Sequence, residues 1–74
     1  MTRDEVLRSM EDLMELQTGT LEGPERLDGM EQWNSMAMIG FIALVDEHFG
    51  ETLSPRKFVS CSTVDDVLKL VPFA

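Results

Sequence analysis

Apolar residues recur along this chain at the spacing of helices, in three segments. In residues 2–16 they fall three and four positions apart and so share one helix face. Residues 36–45 form a second, almost wholly apolar run, and residues 63–71 repeat the three-and-four spacing. No segment alternates apolar and polar residues as a half-buried strand does, so the pattern predicts an all-α fold.

Capping residues give the expected boundaries of the first two helices. Thr2 and Glu5 have capping-box spacing, so the first helix is expected to begin there and to continue to residue 16. The second helix is expected to begin at Asn34 or Ser35. It should end near Gly50, since glycine readily adopts the left-handed backbone of a helix end.

Two further helix starts follow. Ser54 as cap and Pro55 as first helical residue predict a short helix over residues 55–60. Thr63 and Asp66 have cap spacing and predict a last helix over residues 63–71. The chain is therefore expected to form one domain over residues 1–74, a small bundle of three principal helices plus one short helix.

The connection between the first and second helices, residues 17–33, is long for so small a chain. Helix breakers interrupt it at Gly19, Gly23, Pro24 and Gly29. Its apolar residues are expected to pack on the helices, namely Leu21, Leu27 and Met30. Its acids are expected to face water, namely Glu22, Glu25, Asp28 and Glu31. Trp33 is expected to pack at the entrance of the second helix, with a substrate-binding role as the alternative.

The charge balance limits the classes of partner. The chain carries 14 acidic and 6 basic residues, a net charge of −8, which argues against nucleic acid and favours basic protein surfaces. Charges four residues apart, such as Arg8 with Asp12 and Glu11 with Glu15, predict a solvated outer face on the first helix. No signal-peptide core follows Met1, and the apolar run is too short to span a bilayer. We therefore expect a cytoplasmic monomer without a membrane span.

Catalytic and metal-binding patterns are not found in the sequence. One cysteine, Cys61, and one histidine, His48, allow neither an internal disulfide nor a usual zinc site. The adjacent acids Asp46-Glu47 and Asp65-Asp66 point apart on a helix, which makes them poor catalytic pairs. We therefore expect no metal and no enzymatic activity of the chain's own.

Ser35 is the most informative polar residue. A serine at a helix start is usually an N-cap, but here Asn34 can supply the cap and leave the Ser35 hydroxyl free. A phosphate ester at this position would lie at the positive end of the helix dipole, near backbone N–H groups without helical partners. Ser35 is thus well placed to carry a permanent phosphodiester.

The arrangement resembles an acyl carrier protein over nearly the whole chain. The matching segments are Trp33-Asn34-Ser35-Met36, Phe49-Gly50, Leu53-Ser54-Pro55 and Thr63-Val64-Asp65-Asp66-Val67. The resemblance implies that Ser35 carries 4′-phosphopantetheine, whose thiol holds an acyl group as a thioester. It also implies a phosphopantetheinyl transferase with Mg²⁺ and acyl-loading and acyl-processing enzymes of the acyltransferase, ketosynthase or ligase type as partners.

The resemblance further implies roles for residues near Ser35. The expected partner-docking residues are Asn34, Met36, Ile39 and Ala43. The expected acyl-pocket residues are Met38, Ile42, Leu53 and Cys61. The other side of the second helix is expected to face the core through Phe41, Leu44, Val45 and Phe49.

Two departures from the family pattern bear on function. Asn34 stands where the family has aspartate, which keeps the cap and removes a charge. Acids common after the serine are replaced by Ala37 and Gly40, and the short helix carries Arg56 and Lys57. These features favour a specialised polyketide-like or other natural-product pathway over housekeeping fatty-acid synthesis, with a fatty-acid pathway left open as the other choice. A peptidyl or aminoacyl carrier and an unmodified acidic helical interaction module remain the alternatives.

Overall fold

The computed structural model describes residues 1–73, and this part of the chain is helical. No strand occurs in it. The elements are α1 (Arg3–Leu13), a 3-10 helix (Leu27–Gly29), α2 (Ser35–Phe49), a second 3-10 helix (Pro55–Phe58) and α3 (Val64–Leu68). The predicted all-α fold of three principal helices and one short helix is confirmed. The 3-10 helix inside the long loop was not predicted.

Helices α1 and α3 begin with the capping boxes that the sequence predicts. Thr2 Oγ1 accepts from Glu5 N at 3.2 Å, and the Glu5 carboxylate accepts from Thr2 N at 2.9 Å. Thr63 and Asp66 repeat this exchange at the start of α3, at 3.2 Å in both directions. Each box satisfies two backbone donors that the first turn of a helix leaves without partners.

Helix α1 ends three residues earlier than predicted. The backbone turns left-handed at Glu15, with φ of 58°. Leu16 N donates to Glu11 O at 2.8 Å and Glu15 N to Asp12 O at 3.2 Å, which is the hydrogen-bond pair of a Schellman motif. Apolar spacing continues to Leu16, but the chain there has already left the helix.

The two shorter helices also depart from prediction. Helix α3 ends at Leu68, after which Leu70 N bonds to Val67 O and Val71 N to Leu68 O in 3-10 spacing. The short helix ends at Phe58 rather than residue 60. Ser54 holds its N-cap position, but its side chain makes no capping hydrogen bond, so the predicted cap is wrong in that respect.

All the elements contribute to one apolar core. Phe41 and Val45 of α2 are fully buried, and Leu44 and Phe49 are half-buried against the core. The loop contributes Leu21 and Leu27, which confirms the prediction that its apolar residues pack on the helices. Helices α1 and α2 approach closely at Gly40, where an added Cβ would lie 2.5 Å from Leu13 Cδ2.

Glu11 corrects the expectation of a charged, solvated outer face on α1. Its side chain is fully buried. Glu11 Oε2 accepts from Gly19 N at 2.9 Å and from Leu21 N at 2.8 Å, and lies 3.3 Å from Arg8 Nη1. Arg8 in turn donates to Leu21 O at 2.8 Å. The pair of charges holds the first part of the loop against α1.

The middle of the loop is held by the start of α3. Asp65 N donates to Gly23 O at 2.8 Å and Val64 N to Glu25 O at 3.0 Å, while Leu27 N donates to Ser62 O at 2.9 Å. Gly23 is buried with φ of 138°, a backbone that side-chain-bearing residues avoid. The loop is therefore long but largely ordered by polar contacts.

Candidate functional site

Ser35 is the first residue of α2 and is exposed. Asn34 before it has extended backbone, and its Oδ1 accepts from Ala37 N at 3.0 Å. The cap is thus made by Asn34, as predicted, and the Ser35 hydroxyl is left out of it. A hydroxyl that is exposed and not required by the helix is accessible to an enzyme.

The helix start around Ser35 has an unusual charge pattern for this protein. Helix α1 has Asp4 and Glu5 in its first turn and α3 has Asp65 and Asp66, whereas the first turn of α2 contains no acid. Backbone N–H groups at Ser35 and Met36 have no intrahelical acceptor. The positive end of the α2 dipole is therefore not neutralised by an acid within its own first turn.

Trp33 fixes the approach to Ser35 by ring packing. Its ring centroid lies 6.3 Å from that of Phe41 in an edge-to-face arrangement and 5.9 Å from that of Phe58. Phe41 and Phe58 are themselves 6.1 Å apart and both buried. The prediction that Trp33 packs at the helix entrance is confirmed. This contact also places the second 3-10 helix beside the N-terminal half of α2.

The surface next to Ser35 is apolar. Met36 is 78% exposed and Ile39 61% exposed, and Asn34 and Ala43 are also exposed. Val59, after the second 3-10 helix, is 86% exposed and was not singled out from the sequence. The sequence could have indicated this exposure, because Phe58 and Val59 are adjacent apolar residues in a short turn. When the larger Phe58 side chain is buried, the Val59 side chain points outward.

A comparison with known protein families shows the family to which this chain belongs. Residues 5–71, nearly the whole chain, match the sequence model of the phosphopantetheine attachment site family. The chain belongs to this family. A comparison with curated proteins and one with solved structures found no match.

Membership of the phosphopantetheine attachment site family gives the general role. Domains of this family carry covalently bound 4′-phosphopantetheine. They work with enzymes that modify the domain and with enzymes that process the group held on its arm. The domains themselves are generally not catalytic. The α2 start fits such a group, because it offers an exposed hydroxyl, free first-turn amides and no nearby carboxylate in the turn.

The four residues expected at an acyl pocket lie in or against the core. Leu53 is buried, and Met38, Ile42 and Cys61 are half-buried against it. None of the four lines a cleft of about 440 Å³ that lies between Arg3 and residues 65–73. The acyl pocket stays a prediction. Burial, with a smaller contribution from the Asp66 charge, raises the pKa of the Cys61 thiol, which disfavours its thiolate.

Two further properties concern the described residues as a whole. Within residues 1–73 no cluster of three or more histidines, cysteines or acids could hold a metal ion. None of the helices there has the length and apolar run needed to cross a bilayer.

Proposed function

We propose that Ser35 is the residue to which 4′-phosphopantetheine is attached. The observation that carries the proposal is the division of roles at the α2 start, where Asn34 makes the cap and Ser35 keeps an exposed, free hydroxyl. In the reaction, the Ser35 oxygen would attack the pantetheine-side phosphorus of the coenzyme A pyrophosphate and form a phosphodiester. The bond from that phosphorus to the bridging oxygen would break, adenosine 3′,5′-bisphosphate would leave, and the serine proton would pass to a base. The base and Mg²⁺ for that step would be supplied by the transferase, as the resemblance to acyl carrier proteins implies.

The holo protein would carry acyl intermediates as thioesters and present them to partner enzymes. Met36, Ile39 and Ala43 support this role, because they give α2 an exposed apolar face beginning next to Ser35. Asn34 lies at its edge. A partner that covers this face would remove apolar area from water, which is favourable by about 25 cal/mol per Å² before the costs of association.

The cargo is proposed to be an acyl group of a specialised, polyketide-like or other natural-product pathway. The absence of acids from the first turn of α2 supports this, since it makes docking there depend on apolar contacts more than on charge. Offering the holo protein to acyl-activating and aminoacyl-activating ligases would separate the classes. An acyl thioester, cleaved by hydroxylamine, is expected; exclusive loading of amino acids would indicate a peptidyl carrier.

The attachment site is tested by intact mass. The protein is incubated with coenzyme A, Mg²⁺ and a broad-specificity phosphopantetheinyl transferase. One added phosphopantetheine is expected on the wild type and none on Ser35→Ala, because no other hydroxyl has this position. Ser54→Ala is the matched control: Ser54 is exposed and holds the N-cap position of a 3-10 helix, and its loss should leave loading unchanged.

Two results would contradict the proposal. An adduct that persists on Ser35→Ala would place the arm on another residue. If several transferases added nothing to a wild type shown by circular dichroism to be folded, the chain would be an unmodified helical interaction module.

A further inference from the structure

Most basic residues of this acidic chain are used inside it. Four of the six lysines and arginines form ion pairs with the chain's own acids: Arg3 with Asp65, Arg8 with Glu11, Arg26 with Asp28 and Lys69 with Asp66. The other two, Arg56 and Lys57, are adjacent and exposed, and neither forms an ion pair with any residue in 1–73. In a chain with 14 acids, two neighbouring cations without an acidic partner form a local site of opposite charge.

This pair of cations belongs to an element that packs against residues flanking the proposed attachment site in the sequence. Both belong to the second 3-10 helix, whose Phe58 packs on Trp33 and Phe41, on either side of Ser35 in the sequence. Val59, directly after Phe58, is 86% exposed. Isolated exposed valines are common, but this one follows the two unpaired cations by two and three residues, on an element that packs on Trp33 and Phe41.

We propose that Arg56, Lys57 and Val59 form a docking surface for the transferase that modifies Ser35, through carboxylates around an apolar pocket on that enzyme. The inference rests on the proposed function. The transferase must bring its active site to Ser35 itself, whereas the later partner enzymes act on the group at the far end of the arm. The chain has a net charge of −8, so the rest of its surface would repel an acidic patch on the transferase. Attraction to Arg56 and Lys57 would therefore fix the orientation in which the transferase approaches. Two cations are too few for a nucleic-acid site, where affinity comes from many phosphate contacts.

The test uses the transferase that loads the wild-type chain most efficiently. Its kcat and KM are measured for the wild type, for Arg56→Glu/Lys57→Glu and for Arg26→Glu/Lys69→Glu. Both double variants change net charge equally, but the second alters residues already paired inside the chain. The first should lower kcat/KM about tenfold through KM, because opposite charges that steer association become like charges. The second should stay near wild type.

Two more arms sharpen the assignment. Arg56→Gln/Lys57→Gln should give an intermediate loss and remove most of the salt dependence of kcat/KM. Val59→Ser should raise KM with little change in salt dependence, since it removes an apolar contact only. Arg56 and Lys57 are exposed, and their side chains form no hydrogen bond or ion pair within residues 1–73; melting curves of each variant verify that it is folded.

The outcomes are distinct. If the wild type is loaded but kcat/KM of Arg56→Glu/Lys57→Glu is unchanged or improved, this inference alone is overturned. An equal loss of kcat/KM in both double variants would also overturn it. A concentration-dependent wild-type dimer that this variant dissolves would assign the surface to a second copy of the chain instead. Failure of every transferase to load the wild type would overturn the proposed function and, with it, this inference.

Discussion

The two ends of the long loop are held in opposite ways. Its first part is fixed by charge and hydrogen bonds: the buried Glu11 carboxylate accepts from Gly19 and Leu21, and Arg8 donates to Leu21 O. Its last part is fixed by ring packing, through Trp33 against buried aromatic residues. At the first end the side chains that hold the loop are charged, whereas at the last end the side chain that holds it is an aromatic ring.

The difference explains why the surface at Ser35 is available. Because Trp33 holds the loop by its ring, no charged side chain has to reach across the start of α2 to order it. The Ser35 hydroxyl and its free amides are left unoccupied, and Met36 and Ile39 stay exposed. Changes at the polar end of the loop should therefore affect stability, and changes at the α2 face should affect the reaction with partner enzymes.

Glu11→Ala should have the largest effect on stability. It leaves the amides of Gly19 and Leu21 without their acceptor and the Arg8 guanidinium without its buried ion-pair partner. Removing one member of a buried ion pair costs about 3–5 kcal/mol. Arg8 is 30% exposed and Glu11 Oε1 has no hydrogen-bond partner in the described residues. We therefore expect a loss of about 2–3 kcal/mol in the free energy of unfolding, measured by urea denaturation.

Asp12→Ala is the control for this change. Asp12 is the exposed neighbour of Glu11 on α1, and its replacement should change stability by less than about 0.5 kcal/mol. Loading of Ser35 in Glu11→Ala should remain near wild type at temperatures where the variant is folded. A large loss of loading under those conditions would show that the two ends of the loop are coupled.

Ile39→Ser should have the opposite profile. Ile39 is 61% exposed, so stability should change little, but an apolar anchor next to Ser35 is removed. A central apolar contact of an interface is commonly worth more than 1 kcal/mol, so kcat/KM for transferase loading should fall about tenfold. Ile42→Ser is the matched partner: Ile42 is half-buried against the core, and there the same change should lower stability. Equal kinetic and stability effects at both positions would contradict the assignment of faces on α2.

Sequence reasoning succeeded where a local pattern decides the structure. The Thr2 and Thr63 capping boxes, the Asn34 cap and the Gly50 helix end depend on residues within one turn, and each was predicted. It failed where distant residues decide. Helical spacing places Glu11 among charged neighbours, and only the loop that returns to α1 buries it. Likewise, the sequence does not show that Arg56 and Lys57 lack an acidic partner. The structure shows it, because the other four bases form ion pairs and these two form none within residues 1–73.

The ends of α1 and α2 offer a smaller test on each side of the comparison. Glu15 has φ of 58° where the tethered loop begins, and Gly50 has φ of 67° at the end of α2. Left-handed backbone costs a non-glycine residue about 1–2 kcal/mol, partly offset by the entropy that glycine adds to the unfolded chain. Glu15→Gly should therefore raise stability by about 0.5–1 kcal/mol, and Gly50→Ala should lower it similarly. Urea denaturation measures both; a loss in Glu15→Gly would mean that its side chain stabilises the loop entry.

The smallest expected effect concerns the acid that closes the capping box of α3, the helix that holds the middle of the loop. Hydrogen bonds from Ser62 N and then Thr63 N lower the pKa of Asp66. The folded state therefore binds this proton more weakly than the unfolded state, whose pKa is about 3.9. The stabilisation is present above that pH and is lost as pH falls through the folded pKa.

Asp66→Asn should be less stable than wild type near neutral pH, and the difference should shrink in acid, as followed by thermal melts from pH 7 to pH 3. Glu5→Gln should show the same trend, since hydrogen bonds from the Thr2 backbone and hydroxyl lower the Glu5 pKa. A difference that stayed constant with pH would mean that the charge on Asp66 adds nothing to the neutral hydrogen bonds, which asparagine can also accept.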